Sequence, residues 1–174
     1  MENNTGILTE QEATLLMTAT MEHGATLKEI HGISDDMMEN MYAYAYKAYK
    51  EGNLDEAENF FNFLCIYDLK NPDYFIGMGA INQVKKNYSK ACDFFALAYV
   101  LAEKNFFPVF YSGQCQLLMG NVVKALQCFD IVCKQCPDAA LVVKAQAYMN
   151  TIRQNMDDTE QQVDSSDEVN NDLQ

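Results

Sequence analysis

Three copies of Ala-x-x-x-Phe recur at one fixed interval in this chain, as Ala57/Phe61, Ala91/Phe95 and Ala125/Phe129. Gly79 and Gly113 keep the same interval, and Gly52 and Gly120 keep it doubled, with Lys86 holding the middle place. A fixed interval of this kind constrains a fold strongly. Each copy is one supersecondary unit that cannot bury its apolar face alone, so the copies must stack.

A 34-residue period carrying Ala-x3-Phe is that of tetratricopeptide repeats, each a pair of antiparallel helices. With the alanines at the twentieth place, the repeats run 38–71, 72–105 and 106–139. Met41, Phe75 and Val109 fill the large place of the first helix, and Tyr44, Met78 and Ser112 the place one turn on. Beside them stand Ala45, Gly79 and Gly113, small because the two helices of a repeat cross there. The Tyr place of the repeat holds Ala48, Asn82 and Gln116, and only Pro137 occupies the closing proline position.

Turn residues agree with this phase. Glu51-Gly52-Asn53 and Met119-Gly120-Asn121 fall between paired helices, where glycine tolerates the left-handed backbone that ends a helix. In the middle copy Lys86-Asn87 stands there, and Asn is expected to substitute for the glycine. Asn71-Pro72 predicts a helix start, and Pro108 and Pro137 punctuate near repeat boundaries.

The flanks read as caps for the stack. Thr9-Glu10-Gln11-Glu12 predicts a helix running to about His23-Gly24, and Thr26 to Ile30 a short second one that stops at Gly32. Residues 1–33 thus form an N-terminal helical region, and Ser34-Asp35-Asp36 opens the repeat region of 34–139. Leu141, Ala145, Tyr148 and Ile152 predict a capping helix over about 140–153. Residues 154–174 hold seven acids and no bases or aromatics, and read as a disordered acidic tail. The expected fold is all-α: three tetratricopeptide repeats forming a curved solenoid, with N-terminal helices and a C-terminal capping helix.

Removing the tail's seven acids takes the formal net charge from −13 to −6, which argues against direct contact with a nucleic-acid backbone. No apolar run approaches the roughly 20 residues of a membrane span. The polar start Met1-Glu2-Asn3-Asn4 is unlike a signal peptide, so a cytoplasmic location is expected. Cys133-x-x-Cys136 has metal or redox spacing, but the two further ligands a zinc site needs are lacking nearby. Cys92, Cys115 and Cys128 lie in helical stretches as small hydrophobes. With no phosphate-cradling loop, His-Glu-x-x-His or nucleophile elbow, the expectation is a binding protein without cofactor or metal, and not an enzyme.

Tyr42, Tyr46 and Tyr49 share one face of the first repeat helix. In tetratricopeptide repeats the groove is lined by the first helix of each pair, at its fifth, ninth and twelfth places among others. Those places hold the three tyrosines, then Ile76, Ala80 and Gln83, then Phe110, Gln114 and Leu117. Two readings of the tyrosines stand side by side. They pack as core against the N-terminal helices, or they form a groove of amphipathic rings for an extended, proline-bearing peptide.

The stretch Phe60-Phe61-Asn62-Phe63-Leu64-Cys65-Ile66-Tyr67-Asp68, continued by Asn71-Pro72-Asp73-Tyr74, resembles the class II translocator chaperones of type III secretion systems. Gly24-Ala25-Thr26-Leu27-Lys28, Asp35-Asp36-Met37-Met38 and the run from Pro108 to Leu117 carry the same resemblance. It is nearest the SicA and IpgC branch, with the SycD (LcrH) branch more distant, and covers about residues 15–153. It implies a bacterial cytoplasmic chaperone serving two hydrophobic translocator proteins. A client segment of the Pro-x-Leu-x-x-Pro kind would lie on the concave face, against the tyrosines at 42, 46 and 49. It further implies partnership with an AraC-type transcription activator and a homodimer through the N-terminal helices, here about 8–33. The alternative from another class is a generic repeat scaffold that joins folded partners.

Overall fold

A computed structural model describes residues 24, 26–102 and 104–171, with side chains through Met156. The helix expected to end near His23 lies outside these residues. Eight helices and no strand occur among the described residues: α1 Leu27–Ile30, α2 Asp35–Lys50, α3 Leu54–Tyr67, α4 Pro72–Val84, α5 Tyr88–Leu101, α6 Phe107–Leu118, α7 Val122–Gln135 and α8 Ala139–Asn171. They divide into two compact units, one ending at Ile81 and one beginning at Asn82.

Local chemistry sets these boundaries. Thr26 and Glu29 form a reciprocal capping box on α1, and the Ser34 hydroxyl accepts from the Met37 N–H at the start of α2. Pro72 opens α4 with the Asn71 side chain accepting from Asp73 N–H, and the Asp138 carboxylate accepts from Ala140 and Leu141 N–H on α8.

The loops within the three repeats share one hydrogen-bond pattern. Asn53, Asn87 and Asn121 N–H donate to the carbonyls of Ala48, Asn82 and Gln116 at 2.9, 2.8 and 2.8 Å. One residue earlier, Gly52, Lys86 and Gly120 N–H donate to Tyr49, Gln83 and Leu117. Each loop is therefore a Schellman motif, which satisfies carbonyls the helix end leaves orphaned. Its left-handed residue is Gly52 (φ 84°), Lys86 (φ 63°) and Gly120 (φ 78°) in turn. The middle copy thus differs from expectation: Lys86 itself, and not Asn87, adopts the strained backbone. Hydrogen bonding on both sides fixes that residue by its position in the loop, whatever its side chain.

In the first unit α2 packs on α3, and α1 also touches α3. Phe61 and Ala57 are buried there with Met38, Ala45, Leu64 and Met78. The Lys28 ammonium on α1 donates to Asp35 at 2.8 Å and Asp68 at 3.3 Å, which joins α1 to the start of α2 and the end of α3. Both carboxylates hold its proton, the Asp35 bond most strongly, and raise its pKa against the opposing effect of burial. In the second unit α5 packs on α6, α6 on α7 and α7 on α8. Phe129 and Ala125 centre a core with Phe110, Val132, Leu141, Ala145, Met149 and Ile152.

The predicted capping stripe is therefore core at Leu141, Ala145 and Ile152, while Tyr148 is partly buried against it. The helix carrying it does not stop at Arg153, where the sequence suggests a disordered tail. Its backbone stays helical to Asn171. No glycine or proline interrupts 154–171, and extending a nucleated helix costs far less than starting one.

Candidate functional site

Helix α2 turns Tyr42, Tyr46 and Tyr49 along one face, while its fourth tyrosine, Tyr44, packs on Phe60 of α3. The Tyr42 and Tyr46 rings stack at 6.4 Å between centroids, and Tyr46 meets Tyr49 at 6.5 Å. Alanines at 45 and 48 make this possible. Both are buried against the rest of the unit, which leaves the adjacent stripe facing outward. Tyr46 is 48% exposed, with the Lys50 ammonium 5.8 Å from its ring centre. Tyr42 and Tyr49 are half-buried.

Tyr42 is anchored from below. Its ring meets Phe61 edge-on at 5.8 Å and Tyr74 of α4 at 5.8 Å. Burial raises its pKa, and the charge on Asp73 adds to the effect. Next to it opens a concavity of about 350 Å³, lined by Tyr42, Tyr74, Lys28 and carboxylates that include Asp35, Glu39 and Asp73. Ile76 and Ala80, also of the first unit, are half-buried one turn apart on α4.

The remaining expected positions lie in the second unit and are of two kinds. Gln83, on the last turn of α4, donates to the Gln114 side-chain oxygen at 3.4 Å, and Gln114 donates to the Tyr148 hydroxyl of α8 at 2.9 Å. These three half-buried groups form a polar rail. Phe110 departs from the groove reading. It is 5% exposed, with its ring 5.6 Å from both Phe129 and Tyr148. The cause is α8, whose Tyr148 also stacks on Phe129 at 5.0 Å and closes over the pair. Leu117 is partly buried against the same core.

Tyr74 and Tyr148 are the site neighbours that the repeat positions alone do not reveal. Each lies outside the fifth, ninth and twelfth places, yet each touches a ring that occupies one. The signal for Tyr148 is its place on the apolar stripe of α8.

Among the described residues no group of three or more His, Cys, Asp or Glu side chains could hold a metal ion. The Cys133 thiol contacts the Met149 sulfur at 3.9 Å, and the Cys136 thiol points at the Asp138 carbonyl. Their spacing produces no shared site. No described helix is long and apolar enough to cross a membrane.

Comparison with known proteins agrees with the repeat phase. The tetratricopeptide repeat family model matches residues 38–71 and 72–105, the bounds of the first two repeats read from the alanines. The chain is 47% identical to the chaperone protein SicA of Salmonella typhimurium over 153 residues, covering 88% of this chain and 92% of that one. Among solved structures, a type III secretion complex from Aeromonas hydrophila superposes with a TM-score of 0.74 at 24% identity, over 81% of this chain and 97% of its own. PcrH of Pseudomonas aeruginosa, in complex with the chaperone binding region of PopD, superposes with a TM-score of 0.67 at 26% identity, over 72% and 97%.

Proposed function

The chain belongs to the translocator chaperones of type III secretion systems, a family of chaperones and not of enzymes, and we propose that it grips its clients through the tyrosine face of α2. The observation that carries this reading is the row of Tyr42, Tyr46 and Tyr49 rings, with Tyr46 exposed at its centre, beside a packed alanine stripe. Tyrosine rings offer apolar area and a hydrogen-bonding hydroxyl at little entropic cost, which suits a client segment that arrives unfolded.

The clients are two hydrophobic translocator proteins, each presenting an extended segment of the Pro-x-Leu-x-x-Pro kind. A stiff segment of this type loses little freedom on docking. Ile76 and Ala80 add apolar contact, and Gln83 and Gln114 add donors and acceptors for an extended backbone. Phe110 and Leu117 contribute by holding α6 in place more than by touching the client. The chaperone works in the bacterial cytoplasm, where it keeps each client soluble and apart from the other until export. Without client it forms a homodimer through its N-terminal region. Once freed it partners an AraC-type transcription activator, so that secretion is coupled to gene expression.

The test is fluorescence anisotropy of a labelled Pro-x-Leu-x-x-Pro peptide titrated with the wild type and with Tyr42→Ala/Tyr46→Ala. Loss of one well-packed aromatic anchor costs about 2 kcal/mol, or roughly thirty-fold in affinity. Saturable binding that weakens at least that much in a still-helical double variant supports both function and site. Undiminished binding moves the site elsewhere. Absence of binding leaves a scaffold for folded partners as the better account.

A further inference from the structure

Spacing draws attention to Cys133 and Cys136, but the structure brings a different pair together. Cys92 on α5 and Cys115 on α6 are distant in sequence, yet they pack in one cluster with Ala91, Phe95 and Tyr111. The Cys92 sulfur lies against the turn of α6 that carries Cys115. Gln116 donates its side-chain N–H to the same sulfur at 3.6 Å, and the Cys92 thiol lies 3.8 Å from the Ser112 carbonyl. Cys115 is fully buried, whereas Cys92 is partly exposed. A partly exposed sulfur that accepts a side-chain N–H, beside the turn that holds a buried second thiol, has the layout of a peroxide-sensitive cysteine beside its resolving partner.

We propose that Cys92 and Cys115 form an oxidation site, with Cys92 attacked first by a hydroperoxide and Cys115 resolving it to a disulfide between α5 and α6. The Cys92 thiolate attacks one oxygen of hydrogen peroxide. An S–O bond forms, the O–O bond breaks, and the departing hydroxide takes up the proton that Cys92 released, leaving as water. Cys92 is then a sulfenic acid. The Cys115 sulfur attacks the Cys92 sulfur, the S–S bond forms as the S–O bond breaks, and the hydroxyl leaves as a second water with the Cys115 proton. Two thiols are oxidised by two electrons and one peroxide is reduced to two waters. Because both cysteines belong to one packed cluster, closing the bond asks for side-chain rotation and not for a new fold.

Electrostatics assign the two roles in the same sense. The neighbouring Cys115 thiol is the largest influence on Cys92 and lowers its pKa. The Gln116 bond and the charge on Lys124 act with it, against burial and the charge on Asp93. Cys115 is shifted upward, by its proximity to Cys92 and by burial. Burial pushes Cys65 up to about 12, and it also raises Cys128 and Cys133. These remain protonated and slow to react at neutral pH.

The experiment exposes the reduced full chain to hydrogen peroxide, blocks the remaining thiols with N-ethylmaleimide, and maps the peptides by mass spectrometry. A Cys92–Cys115 crosslink appearing first, with Cys133 and Cys136 still alkylated, is the expected result. First formation of a Cys133–Cys136 bond, or a Cys92 that stays free while other thiols oxidise, overturns the proposal. In Cys115→Ala, dimedone should trap a sulfenic acid at Cys92, and its absence from a folded variant counts against the mechanism. Because Cys115 is core, a readout on the wild type is added. Iodoacetamide at pH 7 should modify Cys92 about ten-fold faster than the similarly half-buried Cys128. Equal rates overturn the assignment of Cys92 as the reactive thiol.

Discussion

The pairs Tyr42–Phe61 and Phe110–Phe129 occupy the same register in the first and third repeats, with the same separation along the chain. Their ring centres are also nearly equally spaced, at 5.8 and 5.6 Å. Their surroundings differ. Above Phe110 lies Tyr148, and the ring is core. Beside Tyr42 lie Tyr74 and Tyr46, and one edge of the ring stays open to solvent. One repeat position therefore serves two purposes. A capping helix turns it into structure in the third repeat, and in the first it remains an aromatic surface supported from below.

The largest effect that could break this comparison is the loss of Phe110. Truncating a fully packed Phe costs about 3–5 kcal/mol, so Phe110→Ala should shift the urea midpoint of the full chain strongly. Tyr42→Ala should cost less than about 2 kcal/mol, because part of that ring is already in water. Equal losses at the two positions would mean that the first pair is core as well, which removes the basis for the α2 binding face.

Gly113 sharpens the contrast at a smaller magnitude. A Cβ there would sit 2.7 Å from the Phe129 ring and 3.1 Å from the Cys128 Cβ. Phe129 is fully enclosed and cannot retreat. The first repeat carries Ala45 at this register, and its Phe61 is instead approached by Gly77, where a Cβ would fall 2.2 Å from the ring. Gly113→Ala should therefore destabilise by about 1–3 kcal/mol through overpacking, even though alanine is native at the matching place of the first repeat. A neutral substitution in the urea titration would show that α6 can shift away from α7.

These differences mark where local sequence stops being informative. The Ala-x-x-x-Phe pairs, the Asn71-Pro72 start and the short helix from Thr26 are readable because each rests on residues within one or two helical turns. So is the small place at Gly113, although not its partner ring. Burial of Phe110 is not readable, since it depends on Tyr148, which is remote in sequence and belongs to another helix. Gly77 escapes notice for a similar reason, as its close neighbour Phe61 belongs to the preceding repeat. Lys86 reads as an exception to be rescued by Asn87, yet the Schellman geometry is set by the loop as a whole. A lysine there accepts left-handed strain of roughly 1–2 kcal/mol. Beyond Arg153 composition alone favours disorder, whereas helix propagation depends on what precedes a segment.

The smallest expected effect concerns the one atom by which Tyr42 and Phe110 differ. At pH 7, Tyr42→Phe removes a hydroxyl from the open face and should change stability by less than about 0.5 kcal/mol. Alkaline pH separates the two proteins. Burial, then the charge on Asp73, then Tyr46, raise the Tyr42 pKa above its ordinary value of 10.0. The folded chain therefore holds this proton more tightly than the unfolded chain does. That contribution is complete below pH 10 and disappears as the pH climbs through the raised folded value. In Tyr42→Phe the group cannot ionise, so stability should fall less steeply above pH 10 than in the wild type. Identical alkaline limbs in urea titrations at stepped pH would place Tyr42 in water, with no support from Phe61 and Tyr74. Divergence confined to that limb would show a ring half inside the first unit, with its hydroxyl left available to a client.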